Sequence, residues 1–169
     1  MTKKFESYDI RHLFNAIPIK DIMITSVPIV DEEDDLSEVA MIFLTRGVSH
    51  VCVVDPEKKL VGLISQKYLY KTRSPQKILP GEQVEFDKNT LIDGDSFYDR
   101  KTLDGYILKD IMEKVVSTLK PEDKVSDAIL LMARLNIDCI PVTDKDRKVR
   151  GILKENHIIK LTADIISGY

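Results

Sequence analysis

The 169-residue chain has little of several features that mark particular classes of protein. Its two cysteines are too few for a disulfide-rich secreted fold, and its first residues lead into no apolar segment of the kind that a secretory signal needs. Apolar runs are short, as at residues 39–44, whereas a membrane-spanning helix needs about 20 apolar residues. We therefore expect a cytoplasmic protein with reduced thiols and no membrane contact.

The chain also lacks an excess of basic residues. Its 25 Lys and Arg residues stand against 28 Asp and Glu residues, which gives a net charge of −3. Because nucleic-acid-binding proteins usually carry a strongly basic surface, nucleic-acid binding is not expected. Hydrophobic residues at 43% and charged residues at 31% are typical of a globular protein, and the length suffices to bury a core without disulfides or metals.

Motifs for catalysis or metal binding are missing as well. The chain has no glycine-rich phosphate loop and no dinucleotide fingerprint, and its three histidines are scattered, which disfavours a dedicated metal site. His50 and Cys52 fall on one face of a predicted strand, as a thiol–imidazole pair would require. No third residue in the sequence orients such a pair, so the sequence favours a small buried cysteine over a nucleophile.

An internal repeat at an offset of 89 residues organises the chain. The sequence Lys-Asp-Ile-Met at 20–23 returns at 109–112, and residues 19–69 align with residues 108–158 without a gap. Twelve of these 51 positions are identical, and most other core positions are apolar in both copies. Because chance does not maintain a register over such a length, we expect a tandem duplication of one supersecondary unit.

Each copy has the pattern of a β-α-β-β-α unit. Apolar residues at i, i+3, i+4 and i+7 predict helices beginning at Leu36 and Val125. Short opening strands are predicted at Ile29-Val30 and Thr118-Leu119, and closing helices near Gln66 and Glu155. Two β-rich runs follow the first helix of each copy, at residues 51–54, 60–64, 140–142 and 149–153.

Two segments fall outside the repeat. A leading helix is predicted over residues 8–17, ending at Pro18. The connection at 71–107 is long for a compact domain, and because it carries Phe86, Phe97 and Tyr98 we expect it to pack on the module or on a dimer partner. The predicted organisation is an N-terminal helix at 1–18, a first repeat at 19–70, a linker at 71–107 and a second repeat at 108–169.

The ordered set of motifs, present twice in register, resembles a pair of CBS domains, often called a Bateman module. The resemblance covers residues 19–70 and 108–165. It implies an α/β (α+β) fold in which two β-α-β-β-α repeats pack about a pseudo-two-fold axis, here preceded by the N-terminal helix. The motifs that carry it are Asp-Ile-Met at 21–23 and 110–112, the strand segments 48–55 and 137–144, and the glycine-led segments 62–65 and 151–154.

This resemblance implies a regulatory role without catalysis. CBS pairs bind adenosine-containing ligands such as AMP, ADP, ATP or S-adenosylmethionine, pass the occupancy on to another protein, and usually form dimers. Since no catalytic domain accompanies the repeats, it implies a stand-alone homodimer with an unknown, separate effector protein and no cofactor beyond such a ligand. Two alternatives stay open: a ligand-silent module for dimerisation or scaffolding, and an enzyme in its own right.

The resemblance further implies two crossed ligand clefts, each formed by the strand end of one repeat and by two segments of the other. The first cleft would contain Leu63, Ser65 and Tyr68 together with Val116, Ser117, Ile137, Asp138 and Cys139. The second would contain Ile152, Lys154 and His157 together with Thr25, Val27, Val48, Ser49 and His50.

Neither cleft has the family's complete ribose clamp, which is a strand-end hydroxyl followed three residues later by a carboxylate. Ser65 keeps the hydroxyl, but Tyr68 stands at the carboxylate position. In the second repeat Lys154 and His157 replace both groups. Weak affinity is therefore expected in both clefts, since a carboxylate would accept two ribose hydroxyls.

The charges of the two clefts are expected to differ. Asp138 would repel a polyphosphate in the first cleft, which favours a neutral nucleoside or the cation S-adenosylmethionine. His50, Lys154 and His157 would favour an anion in the second cleft, more strongly below about pH 6.5, where an unperturbed imidazole gains charge. The alternatives for Ser65 and Lys154, a helix cap and a solvated surface residue respectively, remain open.

Overall fold

The computed structural model describes residues 7–66 and 108–168, with side chains from residue 11 onward. Tyr68, most of the helix predicted near Gln66, and the 71–107 linker with its aromatic side chains lie outside these described residues. None of the helices in the described ranges is long and apolar enough to cross a membrane.

The described residues form both helices and strands, so the mixed α+β fold expected from the sequence is confirmed. A short 3-10 turn at Ile19–Asp21 occupies, in the first repeat, the place that the helix at Leu108–Ile111 occupies in the second. In chain order the elements are α1 (Ser7–Ala16), β1 (Ile29–Asp31), α2 (Leu36–Arg46), β2 (His50–Val54), β3 (Leu60–Ser65), α3 (Leu108–Ile111), α4 (Val125–Leu135), β4 (Cys139–Thr143), β5 (Val149–Lys154) and α5 (Glu155–Ser167).

The strand predicted at Thr118-Leu119 is reduced to a single parallel bridge between Leu119 and Val142. Its counterpart β1 continues further, because the Glu32 N–H donates to the Val54 carbonyl at 3.0 Å. The equivalent residue in the second repeat is Pro121, which has no N–H to donate. Pro141, the equivalent of Cys52, also lacks the N–H that Cys52 donates to the Pro28 carbonyl at 3.1 Å. Two missing donors therefore account for the shorter pairing.

Contacts divide the chain into two compact units, and each unit contains parts of both repeats. Unit 1 consists of Met1–Val27, Pro56–Leu60 and Val115–Tyr169, and unit 2 of Pro28–Asp55 and Val61–Lys114. Each unit thus combines the body of one repeat with the opening segment of the other.

Unit 2 is built on a three-stranded sheet in which β2 lies between β1 and β3, with β1 parallel to β2. The helix α2 follows an acidic entry, which suits the positive end of its dipole, and ends at Gly47 in the left-handed region at φ 61°. It packs Val39 and Phe43 against Val51 and Ile64 of the sheet, and these residues form the centre of the unit's core.

Unit 1 has its own core around the antiparallel pair β4–β5. Ala128 and Met132 of α4 pack with Ile140 and Leu153, and Ile19 from the opening segment of the first repeat joins them. The helix α1 lies along α4, where the Ser126 hydroxyl donates a hydrogen bond to the Asn15 side chain. The N-terminal helix therefore packs on the body of the second repeat.

Candidate functional site

The strand that ends at the candidate site is paired, in each unit, with the opening segment of the other repeat. Ile24 and Ile152 exchange two backbone hydrogen bonds of 2.9 Å each. Leu63 and Glu113 exchange two of 3.0 and 3.1 Å. The two pairs are equivalent at the 89-residue offset of the repeat. The segments after both Asp-Ile-Met motifs are thereby fixed beside β5 and β3.

A methionine packed on a glycine brings each of these segments close to its strand. A Cβ atom at Gly151 would lie 2.7 Å from the Ile24 carbonyl oxygen and 2.9 Å from Met23 Sδ. A Cβ atom at Gly62 would lie 2.8 Å from Met112 Cγ and still closer to Sδ. In the sequence, these methionines and glycines appear only as identities between the two repeats. That both members of each pair recur at the same offset was the only signal that methionine and glycine are in contact.

Unit 1 brings several predicted site residues together where β5 ends and α5 begins. Cys139, the first residue of β4, pairs with Lys154, the last residue of β5. The N–H of Glu155 donates to the Asp138 carbonyl at 3.0 Å. Asp138, Lys154 and His157 are half-buried and Cys139 is buried. A carboxylate, an ammonium and an imidazole thus lie on adjoining parts of unit 1.

His157 caps the helix in which it lies. Its Nδ1 accepts the Lys154 backbone N–H at 3.3 Å, which requires the ring proton to be on Nε2. Burial lowers the pKa of this imidazole below its usual value, and the positive charges of Lys154 and Lys160 lower it further. At neutral pH the ring is uncharged, and it gains its positive charge at a lower pH than an unperturbed imidazole does.

Unit 1 contains six further residues of the predicted set. Thr25 is exposed and comes directly after Ile24, and its carbonyl accepts the Val27 N–H at 3.0 Å. Ile152, 6% exposed, lies within β5. The remaining half-buried members of the predicted set in this unit are Val27, Val116, Ser117 and Ile137.

Unit 2 brings the remaining described members of the set together at the start of β2 and the end of β3. The N–H of Gln66 donates to the Ser49 carbonyl at 2.9 Å, which reproduces the bond between Glu155 and Asp138 in unit 1. The Ser49 hydroxyl and His50 Nδ1 are hydrogen bonded at 3.0 Å. His50 is buried, as is Leu63, whereas Val48 and Ser65 are half-buried.

Nucleophilic or metal chemistry finds no support in the described ranges. Burial raises the pKa of the Cys52 thiol to about 12, so the thiolate that would act as a nucleophile is absent at neutral pH. Within residues 7–66 and 108–168, no group of three or more His, Cys, Asp or Glu side chains is arranged to hold a metal ion.

Known proteins similar to this chain include CBS domain-containing proteins. A family model described as CBS domain matches residues 19–74 and 108–164. An uncharacterized protein of Methanocaldococcus jannaschii, MJ1426, is 31% identical over 150 residues, which cover 84% of this chain and 89% of that protein. The chain spans only 26% of the length of a homoserine O-acetyltransferase from Methanohalobium evestigatum, to which it is 24% identical.

Two solved structures have the same fold. A CBS domain-containing protein of unknown function from Bacillus anthracis, 26% identical, superposes with a TM-score of 0.68 over 91% of this chain and 98% of that one. The CBS domain pair of protein MJ0100, in complex with 5′-methylthioadenosine and S-adenosyl-L-methionine, superposes with a TM-score of 0.64 at 22% identity, over 87% of this chain and 96% of that one.

Proposed function

The chain belongs to the CBS-domain family, and from that premise we propose that it binds an adenosine-containing small molecule and signals its occupancy to a separate effector protein. The observation that carries the proposal is one backbone hydrogen bond that both repeats form, which we call the frame. Gln66 bonds to Ser49, and Glu155 bonds to Asp138, at equivalent positions beside the two strand ends. The CBS pair of MJ0100, which has this fold, was solved with two adenosine compounds.

We propose that the sixteen residues of the predicted set supply the ligand contacts, with Lys154 as the contact for negative charge. Lys154 is half-buried, and its neighbour His157 is neutral at neutral pH. For unit charges 4 Å apart, attraction amounts to about 1 kcal/mol in water and about 4 kcal/mol at an effective dielectric constant near 20. Lys154 therefore favours a phosphate over an uncharged substituent on the adenosine.

The end of β3 is suited to a different ligand group. The Ser65 hydroxyl is half-buried next to the frame formed by Ser49 and Gln66, and it can both donate to and accept from a ribose hydroxyl. Because no carboxylate takes part, we propose a weaker contact than a complete ribose clamp would give. This difference between Ser65 and Lys154 predicts that the charge of the ligand decides where it is held.

We also propose that the protein acts as a cytoplasmic homodimer. Met41 on α2 and Leu130 on α4 hold equivalent places in the two repeats, and they are 53% and 62% exposed. Leu44, one turn after Met41 on α2, is 51% exposed. Contiguous exposed apolar surface marks interaction sites, and two-fold closure is the commonest assembly. The buried thiols Cys52 and Cys139 suit a reducing compartment.

Light scattering tests the assembly. The proposed homodimer has twice the 19.3 kDa mass of one chain, and the double variant Met41→Lys, Leu130→Lys is expected to be monomeric. The substitution Glu122→Lys, at an exposed position ahead of α4, is the control and should leave the dimer intact. A wild-type mass of 19.3 kDa at micromolar concentration would contradict the homodimer.

The proposed effector is an enzyme. A segment similar to this chain makes up about a quarter of the length of a protein named homoserine O-acetyltransferase, so this type of module occurs joined to an enzyme. No catalytic set lies in the described residues, and we infer that this chain regulates chemistry without performing it. The second candidate function, a ligand-silent scaffold, is favoured by one observation: His157 Nδ1 already bonds to the Lys154 N–H.

A thermal-shift panel separates these functions. The chain is heated with AMP, ADP, ATP, S-adenosylmethionine and 5′-methylthioadenosine, and GTP serves as the control for the base. A ligand at 100 times its Kd stabilises the folded state by about 2.7 kcal/mol, so a saturable rise in melting temperature with at least one adenosine compound is expected. No shift with any compound favours the scaffold, and turnover of a compound would show an enzyme.

A further inference from the structure

The start of α5 is held by an acceptor that a single proton can remove. Lys154 is the residue that precedes the helix, and His157, in its first turn, accepts the Lys154 N–H through Nδ1 at 3.3 Å. Glu or Gln usually fills this capping-box position. Both nitrogens of an imidazolium carry protons and neither can accept. The hydrogen bond therefore exists only while His157 is neutral.

The charges that act on this imidazole are positive. Burial of the ring is the largest cause of its lowered pKa, and Lys154 at the end of β5 and Lys160 further along α5 lower that pKa further. His157 also lies at the N-terminus of a 13-residue helix, where the partial positive charge of the helix dipole disfavours a positive charge on the ring. Among described residues, no carboxylate of α4 or β5, which pack against α5, contributes to the ring's pKa, and neither does Asp138 ahead of β4.

We propose that His157 is a pH-sensitive latch on the first turn of α5. The neutral ring holds the Lys154 N–H and keeps the turn closed. Protonation turns the acceptor into a donor, places a further positive charge beside Lys154, and releases the turn. The equivalent residue of the first repeat is Tyr68, which has no imidazole, so the proposed latch belongs to the second repeat.

The consequence for binding rests on the proposed function. Lys154 and His157 are among the residues proposed to contact the ligand. Release of the first turn of α5 would therefore displace Lys154, the proposed contact for negative charge. Added positive charge would favour an anion, but the loss of a fixed position for Lys154 opposes that gain. The latch itself is a property of the ligand-free protein and can be measured without any ligand.

NMR spectroscopy of the ligand-free chain between pH 8 and pH 5 tests the latch. We expect the hydrogen-exchange protection factor of the Lys154 amide to fall about fivefold, the usual effect of one hydrogen bond, with the midpoint at which the His157 ring titrates. The variant His157→Gln keeps an acceptor that does not titrate, and its Lys154 protection should stay constant. His12→Gln, on α1, is the matched control and should behave as the wild type does.

Two results would overturn the latch: constant Lys154 protection while the His157 ring titrates, or an equal loss of protection in His157→Gln. Circular dichroism at each pH establishes that both variants keep their helices. Calorimetry with ATP and 5′-methylthioadenosine is a separate arm. If the protection of the Lys154 amide falls as His157 titrates but no ligand binds, the latch is supported and the proposed function is contradicted. If a ligand binds but this protection stays constant, the latch alone is overturned.

Discussion

Met23 lies against Gly151 so closely that no side chain fits at position 151. A Cβ there would be 2.9 Å from Met23 Sδ and 2.7 Å from the carbonyl oxygen of Ile24, and the same relation links Met112 to Gly62. Each contact joins the opening segment of one repeat to a strand of the other. This explains why methionine and glycine match in both copies, because each depends on its partner.

The first prediction concerns these two glycines. Gly151→Ala should destabilise the chain more than Gly62→Ala, because the added methyl group meets a backbone carbonyl at position 151 but only the Met112 side chain at position 62. Overpacking of this kind costs about 1–3 kcal/mol. The free energies of unfolding in urea give the comparison.

A double variant provides the control for that prediction. Met112→Ala removes the atoms that crowd position 62, so Gly62→Ala should cost less in that background than in the wild type. Equal costs in both backgrounds would show that Met112 does not enforce the glycine.

The second prediction concerns the turn between β4 and β5. The Asp144 carboxylate accepts the N–H groups of Asp146 and Lys148, each at 2.9 Å, and pairs with Arg150 Nε at 3.1 Å. Burial alone would raise its pKa, but these N–H groups and the charges of Arg150 and Lys148 outweigh burial and lower it.

Because the folded-state pKa of Asp144 is lowered, its stabilising effect is complete above the ordinary carboxylate pKa and is lost as the pH falls through the folded value. Asp144→Asn should therefore be less stable than the wild type at pH 7 and lose less stability on acidification. Urea midpoints at pH 7 and pH 3 measure this, with Asp146→Asn as the control. An unchanged pH dependence in Asp144→Asn would refute the prediction.

The third prediction concerns Cys52. Burial raises the pKa of its thiol to about 12, and the side chain is fully buried, so it should react slowly with an alkylating reagent at pH 8. We expect labelling in the folded chain to be slower than in the urea-unfolded chain by more than about a hundredfold. Mass spectrometry gives both rates, and rapid labelling of folded Cys52 would reopen the interpretation as a nucleophile.

The fourth prediction concerns stability and His157. Its folded-state pKa lies below the unfolded value of about 6.5. The unfolded chain therefore binds more protons between these two values, and stability declines as the pH falls below about 6.5. Urea midpoints at pH 7.5, 6.0 and 5.0 should fall less in His157→Gln than in the wild type. A parallel decline in both proteins would mean that His157 does not contribute.

The periodicity of the sequence predicted α1, α2, α4, α5 and most of the described strands, because α2 and α4 place apolar residues on one face and each strand pair flanks a turn. It did not predict the short helix α3. Local pattern carries no information about which strand a distant segment joins. The pairing of Ile24 with Ile152 and of Glu113 with Leu63 was therefore visible only in the structure. The pairing at Leu119 is short because Pro121 and Pro141 lack the N–H groups that Glu32 and Cys52 donate in the first repeat.

The candidate site was predicted less completely for a related reason. The family pattern located Ser65, Lys154 and His157 at the strand ends, but a pattern does not show which atoms a side chain bonds. His157 was expected to carry charge for an anion. Instead, its Nδ1 accepts a backbone N–H, and burial and two nearby lysines lower its pKa. Of the predicted pair Lys154 and His157, Lys154 is therefore the one that we propose as the anion contact.

Calorimetry with ATP and with 5′-methylthioadenosine, on the wild type, Lys154→Ala and Ser65→Ala at pH 7.5, is the decisive test of the claim that this chain binds an adenosine compound. We expect saturable binding of at least one adenosine compound, and a greater loss of affinity for ATP than for 5′-methylthioadenosine in Lys154→Ala. Loss of ATP binding in Ser65→Ala with unchanged affinity in Lys154→Ala would show that the anion contact is misassigned. Heats no larger than dilution for every adenosine compound, in a folded wild-type protein, would contradict the claim.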